Sequence, residues 1–148
     1  MKIAKALKLK NQLAGEVTQL KELLTKQNSR STKQKFDYEN REVLTRLRAK
    51  IDELVKVKAA VAAANAEVYD KIFRLAELKG LITTLNGLDT KAGVFHEGRV
   101  FAEAAYEVEY VAQLSKVAVD KLVAELKAEI QSMQDELDEF NFTRSVNL

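Results

Sequence analysis

Three observations predict a mainly α-helical chain: it has no proline, few aromatic residues (7%), and long stretches whose apolar residues recur every three or four positions. Without proline nothing removes a backbone donor and forces a helix to stop, so Gly, Asn and Ser must punctuate the chain. At 148 residues the length suits one domain spanning 1–148. The expected architecture is an antiparallel bundle of about four long helices with a minor two-stranded β element.

The first helix is expected over about 2–28. Ile3, Ala6, Leu13, Val17, Leu20 and Leu24 fall on alternating three- and four-residue steps, with Lys10 interrupting the seam, the spacing that holds one stripe against a partner helix. Leu7, Leu9 and Leu23 widen that stripe toward a bundle face. Such a helix is about 40 Å long. Asn28 to Gln34 is polar and aperiodic, hence a loop. Phe36 and Tyr38 then alternate with Lys35 and Asp37, which predicts a short strand over 35–38.

The second helix is expected over about 39–64, with Leu44, Leu47, Ile51, Leu54 and Val61 in step. A break near Asn65 to Asp70 separates it from a third helix over about 71–90, which carries Leu75, Leu78, Ile82 and Leu85 on one face. Asn86-Gly87 and Gly93 mark that helix's end, and Lys91 to Arg99 forms a second loop. Tyr106-Glu107-Val108-Glu109-Tyr110 alternates with the period of a half-buried strand, expected over about 106–111. A three-four reading through Phe101, Ala104, Ala105, Val108 and Val111 also exists; the strand is favoured. Its natural partner is the 35–38 segment, because a lone strand leaves backbone groups unpaired. Ser115 is placed to cap a last helix over about 116–140, whose stripe is Val119, Val123, Leu126, Ile130, Met133, Leu137 and Phe140.

The opening Met1-Lys2-Ile3-Ala4-Lys5-Ala6-Leu7, the segment Glu107-Val108-Glu109-Tyr110-Val111 and the closing Asn141-Phe142-Thr143 together resemble a family of small bacterial helical proteins of unknown function, some labelled septicolysin. Members of that family typically begin Met-Lys-Leu-Ala-Glu-Ala-Leu and close with Asn-Trp-Thr. Phe142 therefore departs from the pattern, as does a shorter connection after Asn65. The resemblance implies the order helix, helix, helix, strand, helix, and self-association. The label implies a pore-forming or lytic activity, but no residue role comes with it.

The chemistry-bearing residue types are sparse. Absence of cysteine excludes a disulfide framework, a thiolate nucleophile and a cysteine zinc site. His96 is the sole histidine; Glu97, Glu103, Glu107 or Glu109 could join it around a divalent ion, yet no spacing among them is diagnostic. Carboxylates such as Glu16 with Glu22, or Asp135, Glu136, Asp138 and Glu139, sit where solvent-facing helix flanks are expected. Acid–base work would need one of them buried or crowded by a like charge. No serine has a nucleophile-elbow context, and the five glycines form no phosphate loop. No catalytic residue, metal or cofactor is expected, and the chain is read as not an enzyme.

The net charge is only +2 but unevenly spread. Up to Lys35 the chain is basic, with Lys2, Lys5, Lys8, Arg30, Lys33 and Lys35 as a candidate contact surface; from Asp120 to Glu139 it is acidic. Nucleic-acid binding ranks low, since such domains usually carry a larger basic excess. A membrane surface is a further reading of the basic, amphipathic first helix, although that helix has no aromatic anchor. The preferred reading of the asymmetry is that the first and last helices are neighbours, within one chain or between chains. No apolar run approaches a membrane span, and lysines interrupt any signal-like core near Met1. The expectation is thus a cytoplasmic, non-enzymatic structural or interaction protein. It self-assembles as a coiled-coil-like homo-oligomer through the seams Ile3, Leu13, Val17, Leu20 and Leu24; Leu44, Leu47, Ile51 and Leu54; and Leu126, Ile130, Met133 and Leu137.

Overall fold

The computed structural model describes residues 1–98 and 106–148. They form α1 (Ile3–Lys26), α2 (Asn40–Asn65), a 3-10 turn (Ala66–Val68), α3 (Tyr69–Asn86), β1 (Gly93–Glu97), β2 (Tyr106–Tyr110) and α4 (Lys116–Thr143). The chain is mainly helical with one small antiparallel sheet. The expected break near Asn65 is no loop. Asn65, Ala66 and Tyr69 all keep right-handed helical dihedrals, because no Gly or Pro intervenes to redirect the backbone. The second and third helices are therefore one helical run from Asn40 to Asn86, and the described residues hold three such runs, not about four.

The helix ends have local causes. Ser115 Oγ accepts the backbone N–H of Ala118 at 3.1 Å, capping α4 as its position suggests. The run ending in α3 stops at Asn86, four residues short of the expected Thr90. There Gly87 N–H is shared between the carbonyls of Thr83 (3.2 Å) and Thr84 (3.1 Å).

β2 lies where alternation placed it, but its partner is β1, not the 35–38 segment. Gly93 pairs with Tyr110, Phe95 with Val108 and His96 with Glu107, antiparallel. Pairing strands close in sequence closes a shorter loop than reaching back to Phe36 would. Gly93 also adopts φ +98°, a conformation a side chain would strain.

Lys35 to Tyr38 is bend and coil because its groups are satisfied from α1 and the loop that follows it. Asp37 N–H donates to Gln27 Oε1 at 2.9 Å, and the Lys35 carbonyl accepts Arg30 Nη1 at 2.7 Å. Tyr38 Oη and Asn40 Nδ2 donate to the carbonyls of Leu23 (2.7 Å) and Leu24 (2.9 Å), two acceptors that the end of α1 leaves without helical partners. Glu103, the alternative helical positions Phe101, Ala104 and Ala105, and Arg99 of the second loop lie outside the described residues.

The described residues group into two compact units, Met1–Tyr69 with Leu137–Leu148, and Asp70–Glu136. In the first, α1 and α2 pack antiparallel: Ile3, Ala6 and Leu13 meet Val57 and Val61, while Val17 and Leu20 meet Val43 and Leu47. Lys50 joins Glu16 at 3.0 Å between the two clusters. Val146 enters the first cluster, carried there by a short antiparallel bridge in which Ile3 N–H donates to the Arg144 carbonyl (3.0 Å) and Val146 N–H to that of Met1 (2.7 Å). In the second unit α3 and α4 run antiparallel, tied by Lys71 to Glu136 and by Arg74 to Glu129 at 2.9 Å. Leu75, Val119, Val123 and Met133 are its buried apolar residues.

Candidate assembly surface

α2 carries two apolar stripes, and only one is used. Val43, Leu47, Val57 and Val61 are buried, with Leu54 packed beside them against α1. Leu44, Ile51 and Val55 follow a seven- and a four-residue step, which holds them within roughly 40° around the helix axis. They remain 45%, 37% and 57% exposed. Arg48 and Lys58 flank that stripe, about 40° to either side of its middle, so the stripe is apolar with basic edges.

The expected seams divide accordingly. Ile3, Leu13, Val17 and Leu20 of α1 are buried and Leu24 half-buried, all within the α1–α2 packing. In the second seam Leu47 and Leu54 join α1, whereas Leu44 and Ile51 face outward. Met133 and Leu137 of α4 are buried, and Leu126 and Ile130 are half-buried. Among the described seam residues, α1 and α4 direct theirs inward and α2 leaves half of its own uncovered.

The expected basic surface is not one surface. Lys2, Lys5 and Lys8 border a cleft of about 260 Å³ with Ala4 and Phe142 at the start of α1. Arg30, Lys33 and Lys35 lie in the loop beyond its other end, more than about 25 Å along the helix. Arg30 is held inside that loop by the Lys35 carbonyl and by Asp37 at 3.7 Å. Phe142 is the member that sequence spacing did not mark, because it sits opposite the apolar stripe of its own helix.

The hairpin gathers the other chemistry. One face presents Phe95, Val108, Tyr106 and Tyr110, with the Lys91 ammonium 4.7 Å and 4.5 Å from the ring centres of Phe95 and Tyr110. Glu97 accepts from Tyr110 Oη and, at 3.3 Å, from Lys91. Those donors hold the Glu97 carboxyl below the usual carboxylate range, the tyrosine hydroxyl being the larger cause; Glu97 in turn raises the Tyr110 phenol. His96 lies 3.2 Å from Glu107 on the opposite face, well exposed. Among the described residues no group of three or more His, Asp or Glu converges to hold a metal ion.

Of the carboxylates considered as acid–base pairs, Glu16, Asp135 and Glu136 are engaged separately. Glu16 takes hydrogen bonds from Gln12 and Lys50, which lower its pKa in that order. Glu136 pairs with Lys71, and Asp135 accepts from Gln131 at 2.8 Å. No helix of the described residues is long and apolar enough to cross a membrane. Comparison with protein-family models, with curated proteins and with solved structures gives no match to this chain.

Proposed function

We propose that the chain is a non-enzymatic interaction protein of the cytoplasm whose product is an assembled helical surface, built by docking α2 against a helix of a second copy. The observation that carries this reading is the outward stripe Leu44, Ile51 and Val55, which keeps coiled-coil spacing on a side of α2 that α1 leaves uncovered. A fully covered side chain of this kind contributes roughly 1.5–3 kcal/mol. A stripe repeated on every copy thus offers a driving force that a lone chain cannot collect. The antiparallel bundle anticipated from periodicity is then completed between chains, with α1 and α2 supplying one preformed layer.

Charge favours the same arrangement. α2 presents Arg48 and Lys58 along the stripe, while α4 carries Glu125, Asp135, Asp138 and Glu139. An acidic α4 from a second copy meets a basic edge with complementary sign, which fixes orientation more than it adds affinity. Self-association is also what the septicolysin-like resemblance implies.

Light scattering and sedimentation equilibrium test the reading. The wild type is expected as a fixed multiple of 16.6 kDa. The triple variant Leu44→Gln, Ile51→Gln, Val55→Gln is expected at the monomer mass with unchanged helical circular dichroism, since none of the three is in the α1–α2 core. A wild type that stays at 16.6 kDa across micromolar to millimolar concentration would sink the proposal.

A further inference from the structure

The start of α1 and the end of α4 form a corner whose chemistry the α2 stripe does not use. Lys5 and Lys8 are three residues apart on α1, so they project from one side of the helix. Both are exposed, and among the described residues neither makes an ion pair that would neutralise it. Lys2 extends the row, its ammonium resting 2.6 Å from the Thr143 carbonyl. Beside them the antiparallel bridge between Lys2 and Ser145 fixes the end of α4 and brings Phe142 to the cleft, 70% exposed. The corner thus offers an apolar ring and unpaired cations side by side, two chemistries that one partner could meet together.

We propose that this corner docks on an anionic lipid bilayer, with Phe142 entering the headgroup layer and Lys2, Lys5 and Lys8 meeting lipid phosphates. Aromatic rings favour that depth, and lysines reach phosphates while their methylene stems lie along apolar material. The first helix alone has no aromatic anchor; the fold supplies one from α4. The binding is peripheral, since it needs no spanning helix and buries one ring and the lysine stems. Single-stranded nucleic acid fits less well. It calls for several aromatic platforms in series, and this corner has one ring, while its arginine, Arg144, is paired with Glu67.

The full chain, sedimented with vesicles of phosphatidylglycerol and phosphatidylcholine, is expected to bind them and to leave pure phosphatidylcholine vesicles free. Raising salt should release it. Reversing Lys5→Glu and Lys8→Glu together is expected to weaken binding at least about 25-fold, at about fivefold per lysine. Reversing Lys33→Glu and Lys35→Glu, at the far end of α1, should change it less than about twofold. Because the chain has no tryptophan, Phe142→Trp gives a single reporter; its emission should shift to the blue on anionic vesicles only. Both reversal variants are checked for unchanged circular dichroism. Equal binding to neutral vesicles, an unshifted Trp emission, or equal losses from the two reversals overturns the proposal. A mobility shift of single-stranded DNA by a protein that ignores vesicles also overturns it and assigns the corner to nucleic acid.

Discussion

Gln27 and Asp37 hold each other at two points: Gln27 Nε2 donates to Asp37 Oδ2 at 2.6 Å, and Asp37 N–H donates to Gln27 Oε1 at 2.9 Å. Gln27 is 7% exposed and follows directly after α1, so this one amide decides where the loop turns back toward α2. Truncating Gln27→Ala leaves the Asp37 N–H without its partner and is expected to cost about 1–3 kcal/mol in chemical denaturation. Gln27→Glu removes the donor and sets a carboxylate against Asp37, so its loss should be larger at neutral pH and shrink as the medium is acidified. Equal stability of both variants and wild type would refute the clamp.

Val146 supplies a second test. It is buried among Ile3, Leu13, Val57 and Val61, although it lies in a mostly polar segment after α4. Val146→Ala is expected to lower stability by about 2 kcal/mol in chemical denaturation, through lost burial and the small cavity left behind. Its neighbours Ser145 and Asn147 are exposed. Substituting Asn147→Ala is therefore the matched control, expected to change stability by less than about 0.5 kcal/mol. Equal effects from the two substitutions would show that the bridge does not anchor Val146 in the core.

The contact between Glu16 and Lys50 predicts a pH profile for the α1–α2 pair. Glu16 is lowered in the folded chain, by Gln12 first and Lys50 second; its contribution is present above the ordinary carboxylate range and is lost as pH falls through its folded pKa. Lys50 is raised, by Glu16 first and then Glu53; its contribution is present below the ordinary lysine range and is lost as pH rises through its folded pKa. Thermal melts against pH should therefore decline at both ends, gently because both side chains keep about a third of their surface in water. Glu16→Gln should flatten the acid side most. An acid limb identical in wild type and variant would show that the pair contributes nothing.

For the hairpin, Tyr110→Phe removes the hydroxyl that Glu97 accepts while keeping the ring near Phe95, whose centre lies 5.8 Å away edge to face. The expected loss is about 1 kcal/mol and local, read as faster amide exchange in β1 and β2 with α1 and α2 unaffected. Uniform acceleration throughout the chain would contradict it.

The helices were legible because their stripes are long and periodic: α1, α2 and α4 begin within about two residues of where spacing and Ser115 put them. β2 was legible from strict alternation. Its partner was not, because Val94 to His96 shows no clean alternation and the pairing depends on loop closure. The 35–38 segment misled for a definite reason. Tyr38 is spaced to reach the Leu23 carbonyl, and one aromatic at every second position looks the same whether it serves a pleat or a helix end. On the surface, periodicity found Leu44 and Ile51 yet could not say that they point away from Leu47 and Leu54, since one helix here carries two adjoining stripes. The position of Phe142 beside Lys5 depends on a bridge between residues 2 and 145, which no local pattern encodes.

That bridge also sets an order of events. The unit holding α1 and α2 is discontinuous in sequence, with residues 70–136 inserted before its final piece, Leu137–Leu148, arrives. On the ribosome, Ile3 and Val61 emerge long before Val146, so the first hairpin must wait with an open flank until translation has passed the insertion. Such a nascent hairpin exposes apolar surface for roughly several seconds at ordinary elongation rates, until Val146 arrives to cover its flank.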